Sequence, residues 1–231
     1  MGSQFFKDLL DSRVMKYVFL GGPGGGKSEL AIHYALSFAN LQRENIHFFD
    51  MDQSKPLCRS RDVKKELTDA GIHFHSGEKF LDAPIVPKGV EAIIADRKSR
   101  IVFDVGGGPA GACNIGQYAE LLSGPDTVVY FLINCFRPFC QKAVHIEETI
   151  TAIKRVSGLQ EIEVISNPFS GAEATAKEIV LGHQRLLQMM EKLGMSADLL
   201  AVPEHLWDGD LFRSGRHVFR IRPRVSIDSG E

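Results

Sequence analysis

The run Gly21-Gly22-Pro23-Gly24-Gly25-Gly26-Lys27-Ser28 fits the spacing G-x-x-x-x-G-K-[ST] at every position. Glycines without a Cβ let successive backbone N–H groups curl around an anion, and Gly22, Gly24, Gly25 and Gly26 supply them here. A helix starting just beyond would turn its partly positive N-terminus on the same anion. Lys27 would then reach the β- and γ-phosphate oxygens of a nucleotide, and the Ser28 hydroxyl would ligate Mg²⁺.

A metal-bound phosphate also needs carboxylates at neighbouring strand ends. Ile101-Val102-Phe103-Asp104 is an apolar run ending in an acid, the Walker B pattern, and Asp104 would hold Mg²⁺ through water. The Asp104-Val105-Gly106-Gly107 turn lets the backbone at Gly107 approach a γ-phosphate and sense its presence. Asp50-Met51-Asp52 closes another apolar run. Its carboxylates could orient an attacking water or join the Mg²⁺ shell, or simply initiate a turn.

These residues must be set on a scaffold, and the pattern around them describes one. Short β-branched runs alternate with longer amphipathic stretches, which predicts an α/β fold: a doubly wound, mainly parallel sheet, to which the Gly21–Ser28 motif adds the P-loop of a P-loop NTPase. Strands are expected at Lys16–Leu20, Ile46–Met51, Ile101–Val105, Thr127–Asn134, Ile162–Ser166 and Leu199–Val202. A helix is expected at Ser28–Leu41. Two long helices follow the fourth and fifth strands, with Ile146, Ile150 and Ile153 on one face of the first. Ile179, Val180, Leu186, Leu187 and Met190 share a face of the second. Residues 1–231 read as one nucleotide-binding domain with an irregular insertion at about 53–100. That insertion is expected to hold helices at Asp62–Ala70 and Gly89–Asp96, separated by Pro84 and Pro87. Arg213, Arg216, Arg220, Arg222 and Arg224 alternate with apolar residues and read as the solvated face of an edge strand.

With 231 residues, 44% of them hydrophobic, the chain has the composition to bury a full core. A formal net charge of −2 gives no global drive toward nucleic acid or an acidic membrane. No apolar run approaches the roughly 20 residues that span a bilayer, and the first residues, with Phe5, Phe6, Leu9 and Leu10 at helical spacing, lack a signal-peptide pattern. The four cysteines are scattered, so a reducing cytoplasm is the expected compartment. His73 and His75 would point to one face of a strand and could form a metal site with Cys58, although core or surface packing is the simpler role.

Taken in order, Gly21–Ser28, Asp50-Met51-Asp52, Asp104–Gly107, Ser166-Asn167-Pro168 and Val202-Pro203-Glu204 resemble the SIMIBI class of P-loop NTPases. That class includes MinD, ParA, the nitrogenase iron protein and the carbon monoxide dehydrogenase maturation ATPases. The resemblance implies that Asp52 lies in switch I and positions the hydrolytic water, and that Asp104 to Gly107 form switch II. It also implies that Asn167 and the loop at Pro203 meet the base. Many members carry a second lysine early in the loop that reaches a dimer partner's nucleotide, and here Gly22 stands at that place. Arg59, Arg61, Lys64 and Lys65 are candidates for a substitute cation, although a solvated helix face is the simpler reading of that cluster.

The stretch Asn167-Pro168-Phe169-Ser170 lacks the carboxylate that accepts from guanine N1 and N2, while an Asn alone can pair with adenine N6 and N7, so ATP is favoured over GTP. The expectation is a slow MgATP-dependent switch hydrolase that acts on a protein partner or a second copy of itself. A small-molecule kinase and a non-hydrolysing nucleotide sensor are the alternatives.

Overall fold

The computed structural model describes residues 13–41, 45–52, 63–76, 89–171, 173–208 and 217–221. Eight strands form one sheet: β1 Lys16–Gly21, β2 Ile46–Met51, β3 His73–Ser76, β4 Arg100–Val105, β5 Thr127–Ile133, β6 Glu163–Ser166, β7 Leu199–Pro203 and β8 His217–Ile221. Their order is β3-β2-β4-β1-β5-β6-β7-β8, and every neighbouring pair is parallel. The helices are α1 Lys27–Asn40, α2 Lys64–Asp69, α3 Val90–Ala95, α4 Gly108–Gly116, α5 Ala143–Ser157 and α6 Ala176–Lys192. The expectation of an α/β sheet with covering helices holds. Expected element ends shift by a residue or two, because the glycine turn and the flanking hydrogen bonds, more than the apolar pattern, set where each strand stops.

The central strands are buried on both faces and divide their side chains between two layers. Tyr17 and Phe19 of β1 join α1 residues Leu30, Tyr34 and Phe38 on one side. Val18 and Leu20 join Ile115 of α4, Ile146, Ile150 and Ile153 of α5, and Leu186 and Met190 of α6 on the other. This two-sided burial is why β1, β4 and β5 read as continuous apolar runs rather than alternating ones. The expected helix faces are the buried ones: Ile179 also packs under β7, with Val180 and Leu187 partly covered beside it. The N-terminus of α6 is fixed by a reciprocal cap. The Thr175 hydroxyl accepts from the Glu178 N–H at 3.3 Å, and Glu178 accepts from the Thr175 N–H at 2.7 Å.

Two elements were not legible as such in the sequence. β3 is only His73–Ser76, yet its register puts His73 beside His47 and His75 beside Phe49. α4 begins with glycine and proline, residues that ordinarily argue against a helix, but Pro109 lies at its first turn, where no N–H is required. The expected features at Phe5 to Leu10, Cys58, Arg59, Arg61, Asp62, Pro84, Pro87, Arg213, Arg216, Arg222 and Arg224 lie outside the described residues.

The edge of the sheet carries three stacked imidazoles. His47 Nδ1 and His75 Nε2 are 3.0 Å apart, and the His47 ring lies 4.9 Å from that of His73. Burial, then the neighbouring His75 and His73, push His47 down to about 4, and burial also lowers His75. The folded chain therefore binds fewer protons than the unfolded chain between about pH 6.5 and 4. Stability is fully present above that window and is lost as pH falls through it. Thermal melts should show the midpoint dropping across this range, with a smaller drop in His47→Gln. An unchanged acid slope in that variant would show that the cluster does not control it.

Candidate functional site: a glycine loop between Lys27 and two carboxylates

The glycine loop leaves β1 in the middle of the sheet and enters α1. Gly24 and Gly26 take positive φ values of 69° and 90°, a region that a side chain disfavours. At Gly26 a Cβ would also collide with the amide nitrogen of Asn167, so both backbone and space demand glycine there.

Three loop carbonyls each accept a hydrogen bond from a different element. Lys27 Nζ donates to Gly22 O at 3.1 Å, Arg137 Nε to Gly24 O at 3.3 Å, and Asn167 Nδ2 to Gly25 O at 2.8 Å. Arg137 comes from the turn after β5 and Asn167 from the residue after β6. Pinning these carbonyls to side chains limits the rotation of the loop's peptide planes, which is how a glycine-rich segment can hold a fixed anion cradle.

The carboxylates approach from the other side. β4 lies directly beside β1, with Asp104 in register with Phe19, and β2 lies next, with Asp50 in register with Asp104. Asp104 is 0% exposed, Asp50 is buried, and Asp50 Oδ1 accepts from the backbone N–H of Asp52 at 3.1 Å. Lys27 is 7% exposed. Burial lowers its pKa below the usual lysine range, and the charges of Asp104 and Asp52 partly restore it. The ammonium and both carboxylates thus share one local field at the mouth of the loop. Ser28, half-buried, occupies the first turn of α1.

Gly106 and Gly107 sit between the two halves of the site. A Cβ on Gly106 would come 3.1 Å from Asp52 Oδ1, and one on Gly107 would come 3.1 Å from Pro23. Gly111, one turn into α4, packs so closely that its own Cβ would overlap the Gly106 carbonyl group. The loop after Asp104 is therefore held between the Asp52 segment, the glycine loop and α4 with room for backbone only. Pro203 is buried at the end of β7, which lies beside β6, the strand that Asn167 follows.

No family model matches the chain, and no curated protein matches its sequence. Its architecture does match solved structures. Cell division protein FtsY from Thermotoga maritima superimposes with a TM-score of 0.55 over 86% of this chain and 67% of that one, at 13% identity. FtsY from Mycoplasma mycoides gives 0.52 over 90% and 70%, also at 13% identity. The 54 kDa signal recognition particle protein from Aeropyrum pernix, in complex with GDP, gives 0.51 over 84% of this chain at 14% identity. The chain covers 46% of that last protein. The chain shares the parallel α/β architecture of these proteins. At such identities the likeness concerns architecture.

Of the four candidates for a substitute cation, Arg59 and Arg61 lie outside the described residues, and Lys64 and Lys65 make other contacts. Lys65 pairs with Asp69 at 2.7 Å on the exposed side of α2, and Lys64 lies 6.0 Å over the Phe74 ring. Among the described residues, the cation that meets the loop besides Lys27 is Arg137, at a position that no motif marks. Trp207 packs beside Val202 and Ile179. Among the described cysteines there is no disulfide; Cys113 is exposed, and Cys135 is buried with its Sγ donating to Gly182 O at 3.2 Å. Among the described residues no three His, Cys, Asp or Glu side chains are grouped to hold a metal, and no helix is long and apolar enough to cross a membrane.

Proposed function

We propose that this chain is a slow MgATP-dependent switch ATPase whose nucleotide state alters a surface read by a protein partner or by a second copy of itself. The observation that carries the reading is the grouping of Lys27, Asp52 and Asp104 around a glycine loop pinned by outside donors. Lys27 would bind the β- and γ-phosphate oxygens, with the amides of the loop from Gly22 to Gly26 around them. The donor set Ser28, Asp104 and Asp52 is all oxygen and suits Mg²⁺, which is commonly held by one or two carboxylates together with substrate phosphates. Bound there, Mg²⁺ would neutralise charge on those phosphates.

Asp52 would orient the attacking water. Gly106 and Gly107 would report the γ-phosphate, since any shift there presses on both Asp52 and Pro23. For the base, the absence of a carboxylate in Asn167-Pro168-Phe169-Ser170 supports ATP over GTP, with Asn167 and Pro203 as its contacts. Asn167 already commits one amide hydrogen to Gly25, which would tie base recognition to the phosphate loop. The resemblance suggests metalloenzyme maturation, as by the carbon monoxide dehydrogenase maturation ATPases, or protein positioning, as by MinD and ParA, as the setting.

The test is phosphate release from ATP and from GTP with Mg²⁺ and no added acceptor, with molecular size measured in each nucleotide state. Slow release from ATP with a nucleotide-dependent change in size or partner binding is expected. Faster turnover of GTP would overturn the base assignment, and no release from either would overturn the hydrolase reading.

One observation favours a second reading, a small-molecule kinase. A cavity of about 380 Å³ opens beside Asp50, walled by Phe49, Phe74, Phe103 and Tyr118 with Lys64 and His75 at its polar points. An acceptor held there would lie next to the carboxylates of the phosphate site. A phosphorylated small molecule formed at the expense of ATP would establish it.

A further inference from the structure

We infer that Arg137 is the second cation of the phosphate site, positioned on its own chain's glycine loop by its bond to Gly24. The inference rests on the reading of Gly21–Ser28 as a phosphate cradle and goes beyond it by naming a residue that no motif marks.

Arg137 follows β5, the strand beside β1 on the side opposite the carboxylate strand β4. It therefore approaches the loop from the flank that Asp52 and Asp104 do not occupy. Its Nε donates to Gly24 O, and Gly24, at a φ of 69°, leaves so little space that a Cβ would lie 2.8 Å from that Nε. The guanidinium thus rests on the loop backbone itself. Its turn is fixed as well. Asn134, at the start of the turn, donates to Phe169 O at 2.8 Å and accepts from the Phe136 N–H at 3.0 Å, and the Arg137 N–H closes onto Asn134 O at 3.0 Å. Among the described residues, Nε is the only Arg137 side-chain atom in a hydrogen bond, and the residue is exposed. A guanidinium carries its donors in a planar fork, so one edge can hold a carbonyl while the terminal nitrogens serve an anion.

Among the described residues, Asp50, Asp52 and Asp104 bring three formal negative charges to the site and Lys27 brings one positive, a sum of −2. A nucleotide triphosphate would add several more. Even after Mg²⁺ the balance without another cation is only neutral before the nucleotide arrives, and Arg137 turns it positive. A guanidinium beside developing or bound phosphate charge is worth most in charge-assisted hydrogen bonds, and more to a triphosphate than to a diphosphate.

The test measures ATP and ADP affinity, with Mg²⁺, for the wild-type chain, Arg137→Ala, Arg137→Gln and Arg137→Lys, with thermal melts in parallel. Arg137→Ala and Arg137→Gln should bind ATP about tenfold less tightly, ADP should be affected less, and the melting midpoints should stay near wild type. Arg137→Lys, which keeps the charge, should recover most of the ATP affinity. The salt dependence of ATP binding should be shallower in Ala and Gln and restored in Lys.

Wild-type ATP affinity in Arg137→Ala would overturn the inference while leaving the phosphate site intact. So would an equal loss for ATP and ADP that Lys does not relieve, which would mark Arg137 as a structural prop for the turn. A wild-type chain that binds neither nucleotide would overturn the phosphate site and this inference together.

Discussion

Lys27→Ala is expected to lower phosphate release from ATP by about 10²–10³-fold, the usual cost of deleting one preorganised donor to transition-state charge. The side chain is buried at the mouth of the loop, donates to Gly22 O, and faces Asp104 and Asp52. Removing it leaves those carboxylates opposing an incoming polyphosphate with no cation between them. Because Lys27 also offsets the charge of buried Asp104, the variant should melt earlier, and its activity has to be read on protein shown to be folded. The pH dependence has a definite sign. Burial lowers the Lys27 pKa, so its proton leaves at lower pH than that of a free lysine. Nucleotide affinity should be full on the acid side of that pKa and weaken as pH rises through it. Whatever binding Lys27→Arg retains should stay flat over the same range, since a guanidinium keeps its charge. A wild-type affinity that is level up to the ordinary lysine range would contradict the role given to Lys27.

Gly111→Ala should be the most damaging small substitution outside the glycine loop. The added Cβ would overlap the Gly106 carbonyl group, and backbone cannot rotate aside as a side chain can. α4 or the segment after Asp104 must move, at a cost of about 1–3 kcal/mol by comparison with overpacked cores. The same movement pulls Gly106 from Asp52 and Gly107 from Pro23, so nucleotide-dependent changes should fade even where binding persists. Gly22→Ala is the control: a Cβ there meets nothing within 4 Å, and its φ is not positive. Melting midpoints and nucleotide-dependent protease protection separate the two. Equal stability in Gly111→Ala and wild type would mean that the close packing of α4 is not a constraint.

Much of this arrangement is written locally in the sequence. The glycine loop carries its own conformational demands, and the apolar runs ending in Asp50 and Asp104 state both their burial and their direction. Parallel pairing then places those two acids side by side. The donors that fix the loop could not be read in the same way. Arg137 and Asn167 lie 113 and 142 residues from the carbonyls they hold, and only the strand order brings them there. α4 was hidden for another reason. Its glycines lower helix propensity, yet they are required by the contact of Gly111 with Gly106, a tertiary demand that overrides the local one. The three-histidine edge was half visible. The spacing of His73 and His75 gives a common face, but the register of β3 on β2 is what adds His47.

The most direct test of the account is equilibrium binding of MgATP and MgGTP, by calorimetry, to the wild-type chain and to Lys27→Ala. The account predicts saturable one-site binding of MgATP by wild type, weaker binding of MgGTP, and a loss of at least about tenfold in the variant. Binding of neither nucleotide by wild type, or equal binding by wild type and Lys27→Ala, would contradict it.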